Sequence, residues 1–279
     1  MFKNFFILAL TSVCGSMGVL PFTPMKVQEP IKQEQYYSSS YSGTGAGDET
    51  FTITINYDSI DDSNYTNVDY LCPSYSLIIG SNGCAPTAGS IVTSYYDLTY
   101  PNLLPNYEPI ITYNNRVYWK TLDDTTGTMQ ETLYNYMGTN TEATGTSTTQ
   151  FKNGMTRYYN EKGYNISYNN VVNSLTPANV ITYLNQNKPI VLFITSYDYY
   201  SELGLNYDDT EMSMVCRRNT AGHTVVVCGY QQFKFYQNGV NFRTDNYAYV
   251  CFGDSSSGFL SLDDTSYIQE AYTFNITSA

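Results

Sequence analysis

Ser81–Ser90, with the sequence SNGCAPTAGS, opens the stretch that decides the fold, and a run of Ile, Val, Thr, Ser and Tyr up to Tyr96 continues it. The stretch predicts a turn that becomes a helix. Ser81 or Asn82 can cap the free backbone N–H groups, and Pro86 suits the first helical turn.

One face of this helix is apolar, because small and apolar residues recur there at helical spacing: Ala88, Ile91, Val92 and Tyr95. Cys84 then lies at the helix N-terminus. The positive end of the helix dipole favours the thiolate, which is the form that attacks a carbonyl carbon. The alternative is a small buried cysteine without chemistry.

Length and charge bound the rest of the chain. Its 279 residues leave room for one domain of roughly 200 residues plus processing segments. The 13 basic and 25 acidic residues give a net charge of −12, which repels nucleic acid and anionic lipid. Thirty tyrosines and few charged residues indicate a folded extracellular protein with a polar surface.

Residues 1–22 carry Lys3 followed by an apolar run, which predicts an export signal that is removed. The protein is then secreted, without stable membrane insertion; if the segment is retained, it is an anchor. Residues 23–68 have the composition of a linker or pro-segment. Phe51–Ile55 alternates like a strand, and it could equally pair at the edge of the main sheet. Residues 69–279 form the predicted main domain.

In this main domain, helical patterns come first and strand patterns follow. Helices are predicted around Met129–Met137, Phe151–Lys162 and Thr176–Leu184, and strands at Ile190–Ile194, Gly222–Cys228 and Tyr247–Phe252. This order predicts an α+β domain with an antiparallel sheet.

His223 is the single histidine of the chain. A zinc site with paired histidines is therefore excluded, no cysteine cluster replaces it, and we expect no metal and no cofactor. His223 stands at the entrance of a strand, where a buried structural role is the alternative to catalysis. Cys84, His223 and Asp254 all lie at element ends, as a nucleophile, a base and an orienting acid would.

A hairpin turn at Asn238–Gly239 fixes how His223 meets Asp254. If Gln237 pairs with Val240, the numbers of paired residues always add to 477 (237 + 240), and His223 lies opposite Asp254. Strands this long favour a bulge, which we expect near Gly229, and compensating bulges keep the pair together. The fallback candidates for the acid are Asp245 and Asn246.

Three motifs carry a resemblance to a known family: the Gly83–Ala88 helix start, the Lys188–Val191 turn and the Gly222–Tyr230 strand. In order and spacing they resemble papain-like cysteine peptidases, nearest to the bacteriocin-processing (double-glycine leader) branch and more distantly streptopain. The likeness covers residues 69–263, apart from a long middle insertion. It implies a papain-like fold, in which an N-terminal helical part with the nucleophile helix packs on a C-terminal antiparallel sheet.

The resemblance also implies the chemistry. Cys84 is the nucleophile, His223 the general base and acid, and Asp254 the orienting residue, acting on a peptide or protein substrate through a thioester. Many relatives have glutamine six residues before the cysteine, where this chain has Ile78. Asn82 or Ser81 is therefore the candidate side-chain donor to the oxyanion. Two alternatives stay open: a catalytically weak binding protein or adhesin, and an amidase or acyltransferase using the same triad.

Cys228 and Cys251 are predicted to be structural. Alternation along each strand turns Cys228 away from the face of His223, and Cys251 away from that of Asp254. Bridges involving these two, Cys72 and Cys216 are conceivable. We expect buried free thiols, because a bond on the sheet needs a specific geometry.

Overall fold

The computed structural model describes residues 37–43, 49–65, 82–108, 110–113, 116–119, 124–205, 211–253 and 257–279. The predicted signal segment, Ile78, Ser81 and Asp254 lie outside these residues. Four helices occur in the described part: α1 (Cys84–Asp97), α2 (Asp124–Tyr136), α3 (Thr148–Glu161) and α4 (Pro177–Asn185). None of these four is long and apolar enough to cross a membrane.

The described strands fall in three groups along the chain. Those before α2 are β1 (Tyr37–Gly43), β2 (Glu49–Asn56), β3 (Ser59–Tyr65), β4 (Ile110–Tyr113) and β5 (Arg116–Trp119). The next are β6 (Tyr164–Asn170), β7 (Ile190–Ile194), β8 (Tyr197–Leu205) and β9 (Glu211–Asn219). The last are β10 (His223–Gln237), β11 (Val240–Cys251), β12 (Ser257–Ser261) and β13 (Ile268–Ser278).

One large antiparallel sheet organises the molecule. Its strands lie in the order β1-β2-β9-β8-β12-β11-β10-β7-β13-β6, while β4 and β5 form a separate pair. The first half of β10 pairs with β7 and its second half with β3 on the same edge. Helices that pack on this sheet confirm the predicted α+β class.

α1 is the central helix, because every residue from Ala85 to Asp97 is buried. It packs against β10 and also contacts α2 and α3. Its N-cap is Gly83, and no side chain caps it, so the prediction of capping by Asn82 is wrong. The hydroxyl and the backbone N–H of Thr87 both donate to the carbonyl of Gly83, so they close the first helical turn but leave its N–H groups uncapped.

Two other helices, α3 and α4, have side-chain caps. Ser147 and Gln150 form a reciprocal capping box at the start of α3. Thr176 accepts from the backbone of Asn179 at the start of α4, and Pro177 takes the first helical position. The α3 helix therefore begins at Thr148, three residues before the predicted start at Phe151, while the predicted cap of α4 at Thr176 is confirmed.

The β10–β11 hairpin has the predicted register at its turn, where Gln237 pairs with Val240. Two irregularities follow. Phe242 is the extra residue on β11, and Cys228 is the extra residue on β10, next to the expected position at Gly229. The two cancel, because Val226 pairs with Cys251 and the sum returns to 477 (226 + 251).

The segment before the main domain contains ordered strands. β2 pairs with β9 along its whole length, and β3 pairs with β10. Ile55 and Tyr57 are buried in a second apolar cluster with Met212, Met214 and Phe235. This supports the alternative that Phe51–Ile55 pairs with the main sheet, while the assignment of residues 23–68 as a linker or pro-segment stays a prediction.

Candidate active site

Cys84 is the first residue of α1. It is a free thiol, partly exposed, whereas the twelve positions that follow it up to Tyr96 are buried. The backbone N–H groups of a first helical turn have no partner within the helix. The start of α1 therefore places a reachable sulfur beside backbone donors that point out of the helix.

His223 begins β10, and its ring is held by two aromatic neighbours. Tyr197, at the start of β8, stacks on it with a centroid distance of 6.3 Å and an interplanar angle of 9°. Phe252, just after β11, stacks at 6.2 Å and 23°. Both neighbours are buried, so the plane of the imidazole is fixed by packing.

The tautomer of His223 follows from its hydrogen bond. Nε2 lies 2.8 Å from the carbonyl oxygen of Phe252. A carbonyl only accepts, so Nε2 carries the proton and donates it. Nδ1 is then left as the nitrogen that can accept a proton from a thiol.

Cys84 is hydrogen-bonded to this imidazole. Burial alone raises the pKa of the thiol. The hydrogen bond and charge of His223, with further hydrogen bonds from Thr224, outweigh burial and bring the pKa of Cys84 below its ordinary value. The site thus combines a thiol with thiolate character and a base in contact with it.

A family model described as Peptidase_C39 like family matches residues 64–254, more than half of the chain. The chain belongs to the peptidase C39-like family. This supports a cysteine peptidase-like function in general. Comparison with curated proteins found no match, and comparison with solved structures found none either.

The C39-like match extends from Asn64 to Asp254 and so includes Cys84 and His223. The structure brings these two predicted residues together. Asp254 and Ser81 lie outside the described residues, so their roles stay predictions. Among the described residues, no three His, Cys, Asp or Glu side chains cluster in a way that could hold a metal ion.

Asn82, the other oxyanion candidate, is exposed and has a positive φ of 67°. Its Nδ2 donates to Oδ1 of Asn140 at 3.2 Å. The side chain is therefore tied to the turn after α2. A primary amide has two N–H donors, and this bond uses one of them.

Asp245 and Asn246, the fallback candidates for the orienting residue, lie in the middle of β11. Asp245 accepts from Arg243, and Asn246 binds Asp263 through its side chain and its backbone. They pair with Phe233 and Gln232, far along β10 from His223. Both side chains have structural partners, and the register places both far from the imidazole.

Sequence reasoning missed three contributors: the Phe252 carbonyl, the Tyr197 ring and Thr224. A backbone carbonyl and a stacking tyrosine leave no motif in a single sequence. The glycine at position 253 is the one sequence feature that marks this region. Its φ is +80°, and an added Cβ would lie 2.9 Å from Cγ2 of Thr87. The glycine thus lets the end of β11 approach the first turn of α1.

Gln130 is a further residue near this contact. It is completely buried in α2, and its Nε2 donates to the Thr87 hydroxyl at 3.1 Å. Thr87 follows Cys84 by three residues and so lies on the same side of α1. Gln130 therefore helps to fix the helix turn that carries the nucleophile.

Proposed function

We propose that this protein is a secreted cysteine peptidase with a papain-like fold, which hydrolyses peptide bonds through Cys84, His223 and Asp254. One observation carries the proposal: the thiol at the start of α1 is hydrogen-bonded to an imidazole whose other nitrogen already has an acceptor. Cys84, His223 and the Phe252 carbonyl then form one chain of contacts, and Asp254 follows Phe252 by two residues. Family membership supports the same class of chemistry.

Acylation begins when Nδ1 of His223 takes the proton of Cys84. The thiolate attacks the carbonyl carbon of the scissile peptide bond, and a tetrahedral oxyanion forms. The imidazolium then donates its proton to the leaving amine nitrogen as the C–N bond breaks. A thioester on Cys84 and a free amine result.

Deacylation reverses the proton path with water. His223 accepts a proton from the water molecule that attacks the thioester. The collapse of the second tetrahedral intermediate releases a carboxylic acid and returns the proton to sulfur. The protonated ring is stabilised by the Phe252 carbonyl, which accepts from Nε2, and by the negative charge of the proposed orienting residue, Asp254.

The oxyanion is held by the backbone N–H of Cys84 with one side-chain donor from Asn82 or Ser81. The N–H belongs to the first turn of α1, where it has no helical partner and the dipole favours negative charge. The second N–H of its primary amide suits Asn82 for this role. These donors take the place of the glutamine that many relatives carry at the position of Ile78.

The substrate is a peptide or protein, not a nucleic acid. The net charge of −12 favours neutral or cationic chains over polyanions. The apolar segment at residues 5–22 directs the protein out of the cell, so the site acts on extracellular substrates.

Selective alkylation of Cys84 tests the enzyme proposal directly. At pH 6 with limiting iodoacetamide, followed by mass spectrometry, Cys84 is expected to react at least about tenfold faster than Cys216. Cys216 is the internal control, because burial above all raises its pKa to about 12. Equal labelling of the two thiols would contradict the peptidase and favour the binding protein.

Asp254→Ala tests the third member of the triad. Turnover of a peptide substrate is expected to fall about 10²-fold, because an orienting carboxylate stabilises the imidazolium. The melting temperature should change little. Asp264→Ala, at an exposed aspartate before β13, is the matched control and should keep full turnover. Equal activity of the two variants would remove Asp254 from the mechanism.

A further inference from the structure

Two cysteines outside the proposed catalytic chain meet inside the β10–β11 hairpin. Cys228 is the extra residue of the bulge on β10, and Cys251 is the last residue of β11. Their sulfur atoms are 3.2 Å apart. Both side chains are buried, at 0% and 3% exposure, and both are free thiols.

The bulge explains why the two sulfurs meet. In a regular ladder Val226 alone faces Cys251, and the residue two positions on lies diagonally across. The inserted residue between the Val227–Val250 and Gly229–Tyr249 pairs displaces Cys228 from the ladder. Its thiol also donates to the Tyr249 carbonyl at 3.7 Å, which keeps it on the side of β11.

We propose that Cys228 and Cys251 are a redox modification site and form a disulfide between β10 and β11 when the protein meets an oxidant of the low-molecular-weight disulfide class. The sulfurs need to approach by only about 1.2 Å to reach the bond length of a disulfide. The inference does not depend on the proposed peptidase activity.

The reaction balances as two exchange steps. One cysteine, as thiolate, attacks a small disulfide RSSR, which gives a mixed disulfide and releases RS⁻. The second cysteine thiolate attacks the protein sulfur of that mixed disulfide and releases another RS⁻. Both leaving groups take up the two protons lost by the cysteines, so two cysteine thiols are oxidised while RSSR is reduced to two RSH.

The bridge lies between the two strands that carry the base and its acceptor. β10 begins at His223, and β11 ends one residue before Phe252, whose carbonyl binds the imidazole. A covalent link at 228–251 therefore holds these two ends of the hairpin in register. Oxidation should stabilise the folded protein without touching Cys84.

Peptide mass spectrometry tests the bridge. The full chain with Cys84→Ser, which removes the exposed thiol, is incubated with oxidised glutathione in mild denaturant and then returned to buffer. It is acid-quenched, alkylated and digested. A 228–251 linked peptide, 2 Da lighter than its reduced parts, is expected to dominate. Recovery of both cysteines alkylated, or linked to other cysteines, would overturn the inference.

Thermal stability gives the second readout. The oxidised protein is expected to melt about 5 °C higher than the reduced protein. Cys216→Ser, in the other apolar cluster, should keep this difference, whereas Cys228→Ser should lose it. If Cys228→Ser does not fold, Cys251→Ala serves in its place. An unchanged melting temperature of a mass-verified bridged protein would refute the stabilising role.

Discussion

Cys84→Ser is expected to lower the turnover of a peptide substrate by about 10⁴-fold or more, with the fold intact. A serine hydroxyl has a much higher pKa than a thiol, so His223 cannot generate a comparable nucleophile. The substitution changes one atom at the first position of α1, where the side-chain hydrogen bond to the Gly83 carbonyl comes from Thr87 and not from Cys84. Helix start and core packing therefore remain.

The measurement compares kcat/KM and the circular dichroism melting curve of the variant with those of the parent. Cys216→Ser is the matched control, because it makes the same atomic change in a buried thiol of the second apolar cluster. It should lose stability and keep its turnover per folded molecule. Turnover in Cys84→Ser equal to that of the parent would end the peptidase proposal.

Much of the site could be predicted from the sequence because it depends on local rules. The helix start at Cys84, the single histidine before a valine run and the Asn238–Gly239 turn each follow from short-range patterns. From the turn, counting residues along both strands predicts which residues of β10 and β11 pair. The predicted register holds as far as Cys251, because the bulges at Phe242 and Cys228 lie on opposite strands and cancel.

What could not be predicted is carried by backbone groups and long-range packing. Every peptide unit has a backbone carbonyl, so no residue type marks the carbonyl of Phe252 as the acceptor for His223. Tyr197 is one of thirty tyrosines, and only the pairing of β8 with β9 and β12 brings it to the imidazole. The alternation of Phe51–Ile55 indicated a strand of the main sheet, but no local pattern identified β9 as its partner.

Gly253 belongs to a sequence pattern that is misleading about the chemistry. The Gly-Asp-Ser run superficially resembles a serine peptidase motif, and Ser255 is too close in sequence to His223 for that fold. The structure gives the glycine a steric reason instead, because β11 and Thr87 approach too closely for a side chain. The Phe252 carbonyl and the first residue of α1 both contact one imidazole.

His223→Asn is expected to have the second largest effect on activity, and it should change both turnover and the pKa of Cys84. Turnover should fall about 10³-fold, since both proton transfers lose their carrier. The pKa of Cys84 should also rise, because the hydrogen bond and charge of His223 lower it while burial raises it. A thiol with a raised pKa has less thiolate at a given pH.

The sign of the pH effect follows from that shift. In the parent, the lowered pKa of Cys84 gives more thiolate at a given pH than an ordinary thiol has, so iodoacetamide is expected to label it at pH 6. In His223→Asn, labelling at pH 6 should drop at least about tenfold and recover as the pH is raised above 9. Mass spectrometry of the labelled peptide over this pH range gives the apparent pKa of Cys84 in each protein.

Tyr197→Phe is the matched control for packing around the imidazole. It keeps the ring that stacks on His223 and removes the hydroxyl, which accepts from Asn219 Nδ2 at 3.2 Å. Its labelling profile should follow the parent, so a change confined to His223→Asn reports the imidazole itself. If the labelling profile of His223→Asn also coincides with that of the parent, His223 does not activate Cys84. The contact between them is then structural, and the helix dipole alone would have to account for the reactivity of the thiol.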